Sequence, residues 1–133
     1  IANCLVGSEM CIRDRFINSI KKDGEMSLIF FNKGFSHGLS KVPKKGDFRV
    51  QEEHGGTLEL LKNLDDQIIN LCRKVLSLLP YDCFYSRIDL IFDRGHPLLM
   101  EIEVIEPSLY FNLEPKSAKL FAKRVSDYFN RQC

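Results

Sequence analysis

Tyr85-Ser-Arg-Ile-Asp-Leu-Ile-Phe-Asp-Arg-Gly-His-Pro-Leu-Leu-Met-Glu-Ile-Glu-Val-Ile105 reads as two strands about a turn. In the first run Ile88, Leu90 and Phe92 fall on one face and Arg87, Asp89 and Ile91 on the other, the two-residue period of a strand. Asp93-Arg-Gly-His-Pro97 carries the turn: Gly95 tolerates positive φ, and Pro97 suits the first position of a strand. The return run alternates again, with Glu101, Glu103 and Ile105 facing opposite to Ile102 and Val104. Centred on Gly95, the hairpin sets Asp89 across from Glu101 and Arg87 across from Glu103. All four polar side chains then share one face.

Such crowding needs a reason. Directly opposed side chains have Cβ atoms roughly 4.5–5.5 Å apart, and like charges so placed repel. A divalent cation between the carboxylates removes the objection. Mg²⁺ takes oxygen ligands octahedrally and is commonly held by one or two carboxylates together with substrate phosphates. Arg87 beside them offers a planar donor fork matched to phosphate. A solvated strand face with ordinary charges accounts for the same residue types, and on those types alone both readings stand.

At 133 residues the chain has the length of one domain with a sizeable core. A hydrophobic content of 44% argues against disorder, and no apolar run is long enough to cross a membrane. Nineteen Lys and Arg against 18 Asp and Glu leave a net charge of +1, so nothing calls for nucleic acid or an anionic membrane. Five cysteines without paired metal-ligand spacing indicate neither a disulfide framework nor a zinc site. A reducing cytoplasm is the expected setting.

Residues 1–15 have no sustained period and no cap. Cys4-Leu-Val-Gly-Ser-Glu-Met-Cys-Ile-Arg-Asp-Arg15 closely resembles the peptide obtained when sequencing-adapter DNA is translated. Residues 1–15 are therefore read as a non-native segment and left out of the fold. Beyond a short connection, Glu25 to Phe31 is a strand, Asn32-Lys-Gly34 a tight turn and Phe35 to Val42 the returning partner. Asp47 to Glu52 is short and extended, and His54-Gly-Gly56 breaks it. Leu61, Leu64, Ile68, Cys72, Val75 and Leu79 then predict an amphipathic helix, with Thr57 as N-cap and Pro80 as stop. The central hairpin follows. Glu114-Pro-Lys-Ser117 opens a last helix in which Phe121, Val125, Tyr128 and Phe129 share a face. The order predicts an α+β fold, a mostly antiparallel sheet covered by helices. Glu25 and Lys41 are read as ordinary surface charges, and His37 is assigned no chemistry.

With the hairpin placed, Arg87-Ile-Asp89, a short turn, Met100-Glu-Ile-Glu103 and Pro107 resemble the carboxy-terminal signature of ATP-grasp ligases. That superfamily has an Arg-hydrophobic-Asp strand, then a Glu-hydrophobic-Asn strand and a nearby proline. Phe48-Arg49, five residues, then Gly55-Gly56 is similar to the mobile loop of its glutathione-synthetase-like branch. The matches span roughly residues 16–133. Glu103 departs from the usual Asn and adds negative charge, and one extra residue separates it from Pro107.

The resemblance implies that residues 16–133 are the C-terminal lobe of an ATP-grasp fold, its upstream half with the phosphate-binding lysines missing. It implies ATP and Mg²⁺, with Mn²⁺ as a substitute, and a small carboxylate and amine as substrates. Asp89, Glu101 and Glu103 would bind metal, and Arg87 and Arg49 would be catalytic. Phe16, Ile17, Gly55 and Gly56 would bind ATP. The expected function is part of an ATP-dependent carboxylate–amine ligase acting through an acyl phosphate, with residues 1–133 alone inactive. A non-catalytic nucleotide-binding or regulatory module derived from that fold is the alternative.

Overall fold

A computed structural model describes residues 17–50 and 55–130 of the chain. The reading of residues 1–15 as non-native and the role given to Phe16 lie outside the described residues, as does the end of the extended stretch expected up to Glu52. Eight elements follow one another: α1 (Ile20–Asp23), β1 (Glu25–Phe31), β2 (Gly34–Val42), β3 (Thr57–Leu60), α2 (Asp66–Ser77), β4 (Tyr85–Asp93), β5 (His96–Glu103) and α3 (Pro115–Asn130). The strands form one antiparallel sheet in the order β3-β2-β1-β4-β5. No helix among the described residues is long and apolar enough to cross a membrane.

β1 sits in the middle because its sequence allows both faces to be covered. Leu28, Ile29, Phe30 and Phe31 are all buried, so the strand is apolar on both sides. Leu28 and Phe30, with Ile88 and Leu90 of β4, face Ile69, Cys72 and Leu76 of α2. Burial pushes the Cys72 thiol up to about 11, which leaves it an inert part of that core. Ile29, Phe31 and Leu39 point the other way, into Leu109, Tyr110, Phe111 and Leu113 and the first turns of α3. Phe121 of α3 anchors this second layer, meeting Phe31 at 5.1 Å and Phe84 and Phe111 at 5.6 Å between ring centres.

Both hairpins are two-residue connections. Asn32 and Lys33 have φ of 49° and 63°, Arg94 and Gly95 φ of 53° and 82°, the primed turn geometry that matches strand twist. Each ladder then contains one irregularity. In β1–β2 the pairing passes from Phe30 with Phe35 to Ile29 with His37, leaving Ser36 over. In β4–β5 it passes from Leu90 with Leu99 to Asp89 with Glu101, leaving Met100 over.

One local reading is corrected. Thr57 does not cap a helix: Thr57–Leu60 is β3, paired with Leu39–Val42 of β2. The helix starts later, where the Asp65 side chain accepts a hydrogen bond from the Gln67 backbone N–H at 2.8 Å. Leu58 and Leu60 alternate with Thr57 and Glu59, a strand signature that the flanking helical spacing masked.

Candidate metal centre

The second face of the sheet is apolar where α3 and residues 109–113 cover it. Toward the other end of the strands it becomes charged. Register explains which side chains meet there. Asp89 pairs with Glu101 on one side and Ser27 on the other, Arg87 pairs with Glu103, and Glu25 pairs with Lys41. Met100 matters here. A two-residue turn followed by strict alternation would set Met100 against Asp89; the bulge moves the ladder on by one and brings Glu101 there instead.

The result is a cluster in which Asp89, Glu101 and Glu103 each place a carboxylate oxygen within 4.8 Å of the others. Asp89 is buried, Glu103 half-buried and Glu101 exposed, so the group grades from the sheet interior to solvent. Arg87 lies among them. Its Nε donates to Asp89 Oδ1 and Oδ2 at 3.0 and 3.1 Å, and its Nη2 donates to Asp89 Oδ2 at 2.8 Å and Glu103 Oε1 at 2.5 Å.

Lys41 and Glu25 belong to the same network, contrary to their reading as surface charges. Lys41 Nζ donates to Glu25 Oε1 at 2.8 Å, lies 3.8 Å from Asp89 Oδ2, and stands over the Tyr110 ring at 5.5 Å. Both side chains of the Lys41–Glu25 pair are less than a tenth exposed. Burial works against the Lys41 ammonium, yet Asp89 and Glu25 outweigh it and hold its pKa above the usual lysine value. Glu103 is pushed up, first by its own burial and further by Glu101 and Asp89, with Arg87 and Lys41 opposing. His37 is buried on this face too, its Nε2 bonded to the Leu109 carbonyl at 3.1 Å, and burial lowers its pKa.

These residues fit a small hard cation. Asp89, Glu101, Glu103 and Glu25 face Arg87 and Lys41, which leaves a formal excess of two negative charges. Every donor is an oxygen of the kind that suits magnesium or manganese.

The loop candidates stand differently. Arg49 is exposed, and its guanidinium is taken by Asp47, with Nη2 to Oδ2 at 2.8 Å. Asp47 also accepts the backbone N–H groups of Phe48 and Arg49 at 2.7 and 3.0 Å. These bonds, with that of the Arg49 side chain first, hold the Asp47 carboxyl well below the usual range. Gly55 has φ of 80°, and a Cβ there would meet the Lys44 side chain at 3.2 Å. Gly56 is half-buried just before β3. Ile17 is half-buried at the start of the described chain, its carbonyl accepting from the Ile20 N–H at 3.2 Å. The structure thus gathers Arg87, Asp89, Glu101 and Glu103, while the bonds of Arg49 stay within its own loop. Ser27 was missed, although a single hydroxyl in Glu25-Met-Ser-Leu-Ile-Phe-Phe31 is a legible oddity.

Comparison with known proteins agrees with this architecture. A family profile described as prokaryotic glutathione synthetase, ATP-grasp domain, matches residues 2–117. Among solved structures the fold is similar to a D-cycloserine synthetase, with a TM-score of 0.68 and 22% identity over 85% of this chain and 40% of that one. It is also similar to D-alanine–D-alanine ligase from Bacillus anthracis complexed with ATP, with a TM-score of 0.54 and 19% identity over 77% of this chain and 35% of that one. The chain therefore spans well under half the length of these structural relatives. A search of curated proteins finds no match.

Proposed function

The chain belongs to the prokaryotic glutathione synthetase ATP-grasp domain family, and on that premise we propose that it forms the metal- and phosphate-facing part of an ATP-dependent carboxylate–amine ligase. In this reading the enzyme activates a small carboxylate as an acyl phosphate, which an amine then attacks. The observation that carries it is the convergence of Asp89, Glu101 and Glu103 within 4.8 Å beside the Arg87 guanidinium.

Asp89, Glu101 and Glu103 would hold Mg²⁺, which when bound supplies charge neutralisation at the ATP phosphates. Asp89 serves as the fixed ligand because it is buried and held by Arg87, and Glu101 and Glu103 complete the set from the outer strand. Arg87 has two jobs. Without nucleotide it balances the carboxylates; with nucleotide its Nη2 turns from Glu103 toward the transferred phosphoryl group and the acyl phosphate. Preorganised donors of this kind are worth on the order of a hundredfold or more in rate. Lys41 stays neutralised by Glu25 and stands 3.8 Å from Asp89 Oδ2. Arg49 and the Gly55-Gly56 loop close over the phosphates, which requires Arg49 to leave Asp47, an exchange made easy by its exposure to solvent. Ile17, with Phe16, lies on the adenine side.

The test uses the full-length protein with Mg-ATP and a panel of small carboxylates and amines. Phosphate release should require Mg²⁺ and a carboxylate, and Asp89→Asn with Glu101→Gln should reduce it by at least about a hundredfold. Unchanged turnover in that double variant sinks the assignment. Mg-ATP binding with no phosphate release under any substrate points to a nucleotide-binding module instead.

A further inference from the structure

We propose that Ser27 is a positioning residue that holds the Asp89 carboxylate in place for the metal, an inference that rests on the metal site proposed above. β1 carries Ser27 between Met26 and the apolar run Leu28 to Phe31, in the middle of the sheet. The residue is fully buried. A hydroxyl taken out of water without a partner is costly, so its presence in such a strand asks for an acceptor. The acceptor is Asp89 Oδ1, at 2.5 Å from Ser27 Oγ, and strand register places the two residues directly opposite each other.

The Arg87 fork reaches both carboxylate oxygens and favours Oδ2, the one that also accepts from Nη2, at 2.8 Å. Its Nε lies 3.0 Å from Oδ1 and 3.1 Å from Oδ2. Ser27 adds a second donor on Oδ1. A carboxylate offers about four lone-pair sites. Ser27 Oγ and Arg87 Nε donate to Oδ1, and Arg87 Nε and Nη2 donate to Oδ2, with Lys41 Nζ 3.8 Å from Oδ2, beyond hydrogen-bond distance. With Nε shared, three donors leave the carboxylate room for an ion, and Ser27 on Oδ1 helps hold it against rotation. Being neutral, the hydroxyl achieves this without reducing the negative charge that attracts the ion.

Partners that orient a metal ligand typically contribute 10–100-fold in metal affinity. The experiment titrates the full-length protein with Mn²⁺ alone, following free Mn²⁺ by electron paramagnetic resonance, and records metal-free melting for each variant. Ser27→Ala should bind Mn²⁺ about 10-fold or more weakly while melting close to the parent without metal. Ser27→Thr retains the hydroxyl, suits a strand, and should bind close to the parent. An Ala variant that binds like the parent, a folded Thr variant as weak as Ala, or an Ala variant that no longer folds without metal each overturns the positioning role. Asp89→Asn separates this inference from the reading beneath it. If Asp89→Asn binds Mn²⁺ as tightly as the parent, the metal site itself is wrong; if it loses binding while Ser27→Ala does not, only the role of Ser27 fails.

Discussion

The β1–β2 and β4–β5 hairpins share a backbone design and differ in how their charges balance. Each has a two-residue turn of positive φ and, a few residues on, one unmatched residue, Ser36 or Met100. In the first hairpin the bulge sets Lys41 against Glu25, opposite charges that satisfy each other at 2.8 Å below the surface. In the second it sets Glu101 against Asp89, and Arg87 against Glu103, leaving more acid than base. The same geometry thus yields a closed ion pair in the sheet interior and an open demand for positive charge at its rim. The proposed metal site lies on the unbalanced hairpin.

The largest test of that contrast removes the balance from the first hairpin. Lys41→Met leaves Glu25 buried without its cation and takes one of two cations from Asp89, and should cost about 3–5 kcal/mol in urea unfolding. Glu25→Gln with Lys41→Met should recover much of the loss. A drop in the single variant no larger than that of an exposed ion pair would erase the distinction between the hairpins.

A smaller effect should come from the second hairpin. The folded protein raises the Glu103 pKa, chiefly through burial, so its ionised form is disfavoured in the fold. Its contribution is present below the ordinary glutamate range and is lost as pH rises through the raised value. The Glu103 part of metal-free stability should therefore decline as pH rises above the ordinary glutamate range, and Glu103→Gln should remove that part of the slope. Added Mg²⁺ should restore stability at the upper end. A slope identical in parent and variant would show that Glu103 does not feel its neighbours.

The smallest test compares the two turns. Lys33 occupies a left-handed position with a side chain, and Gly95 occupies one without. Lys33→Gly should stabilise and Gly95→Ala destabilise, each by roughly 1 kcal/mol, read as midpoint shifts in urea. The exposed Lys33–Asp82 pair, lost in the first variant, contributes little against that. No Cβ contact lies within 4 Å at Gly95, so its effect would be purely conformational.

The long hairpin and its facing were legible because alternation is a local pattern. Its register was harder. Centring the turn on Gly95 pairs Asp89 with Glu101, but the turn is Arg94-Gly95, and only the unmatched Met100 restores the pairing. A bulge leaves no mark in composition. Thr57 misled because the helical spacing begins at Leu61, whereas the partner that makes Thr57–Leu60 a strand lies at Leu39–Val42. Lys41 and Glu25 were visible as charges, but nothing nearby in the chain says that Tyr110 and the segment around it fold over them. In each miss the deciding neighbour was far away in sequence.

β5 is one of the two edge strands of this sheet, and it exposes Leu98, Leu99 and Met100. An open, apolar strand border is a template on which another chain can lay itself down and aggregate. The skipped residue at Met100 spoils that template, because an incoming strand meets a break in spacing midway along the border. The irregularity that sets Glu101 opposite Asp89 also helps keep one molecule from sticking to the next.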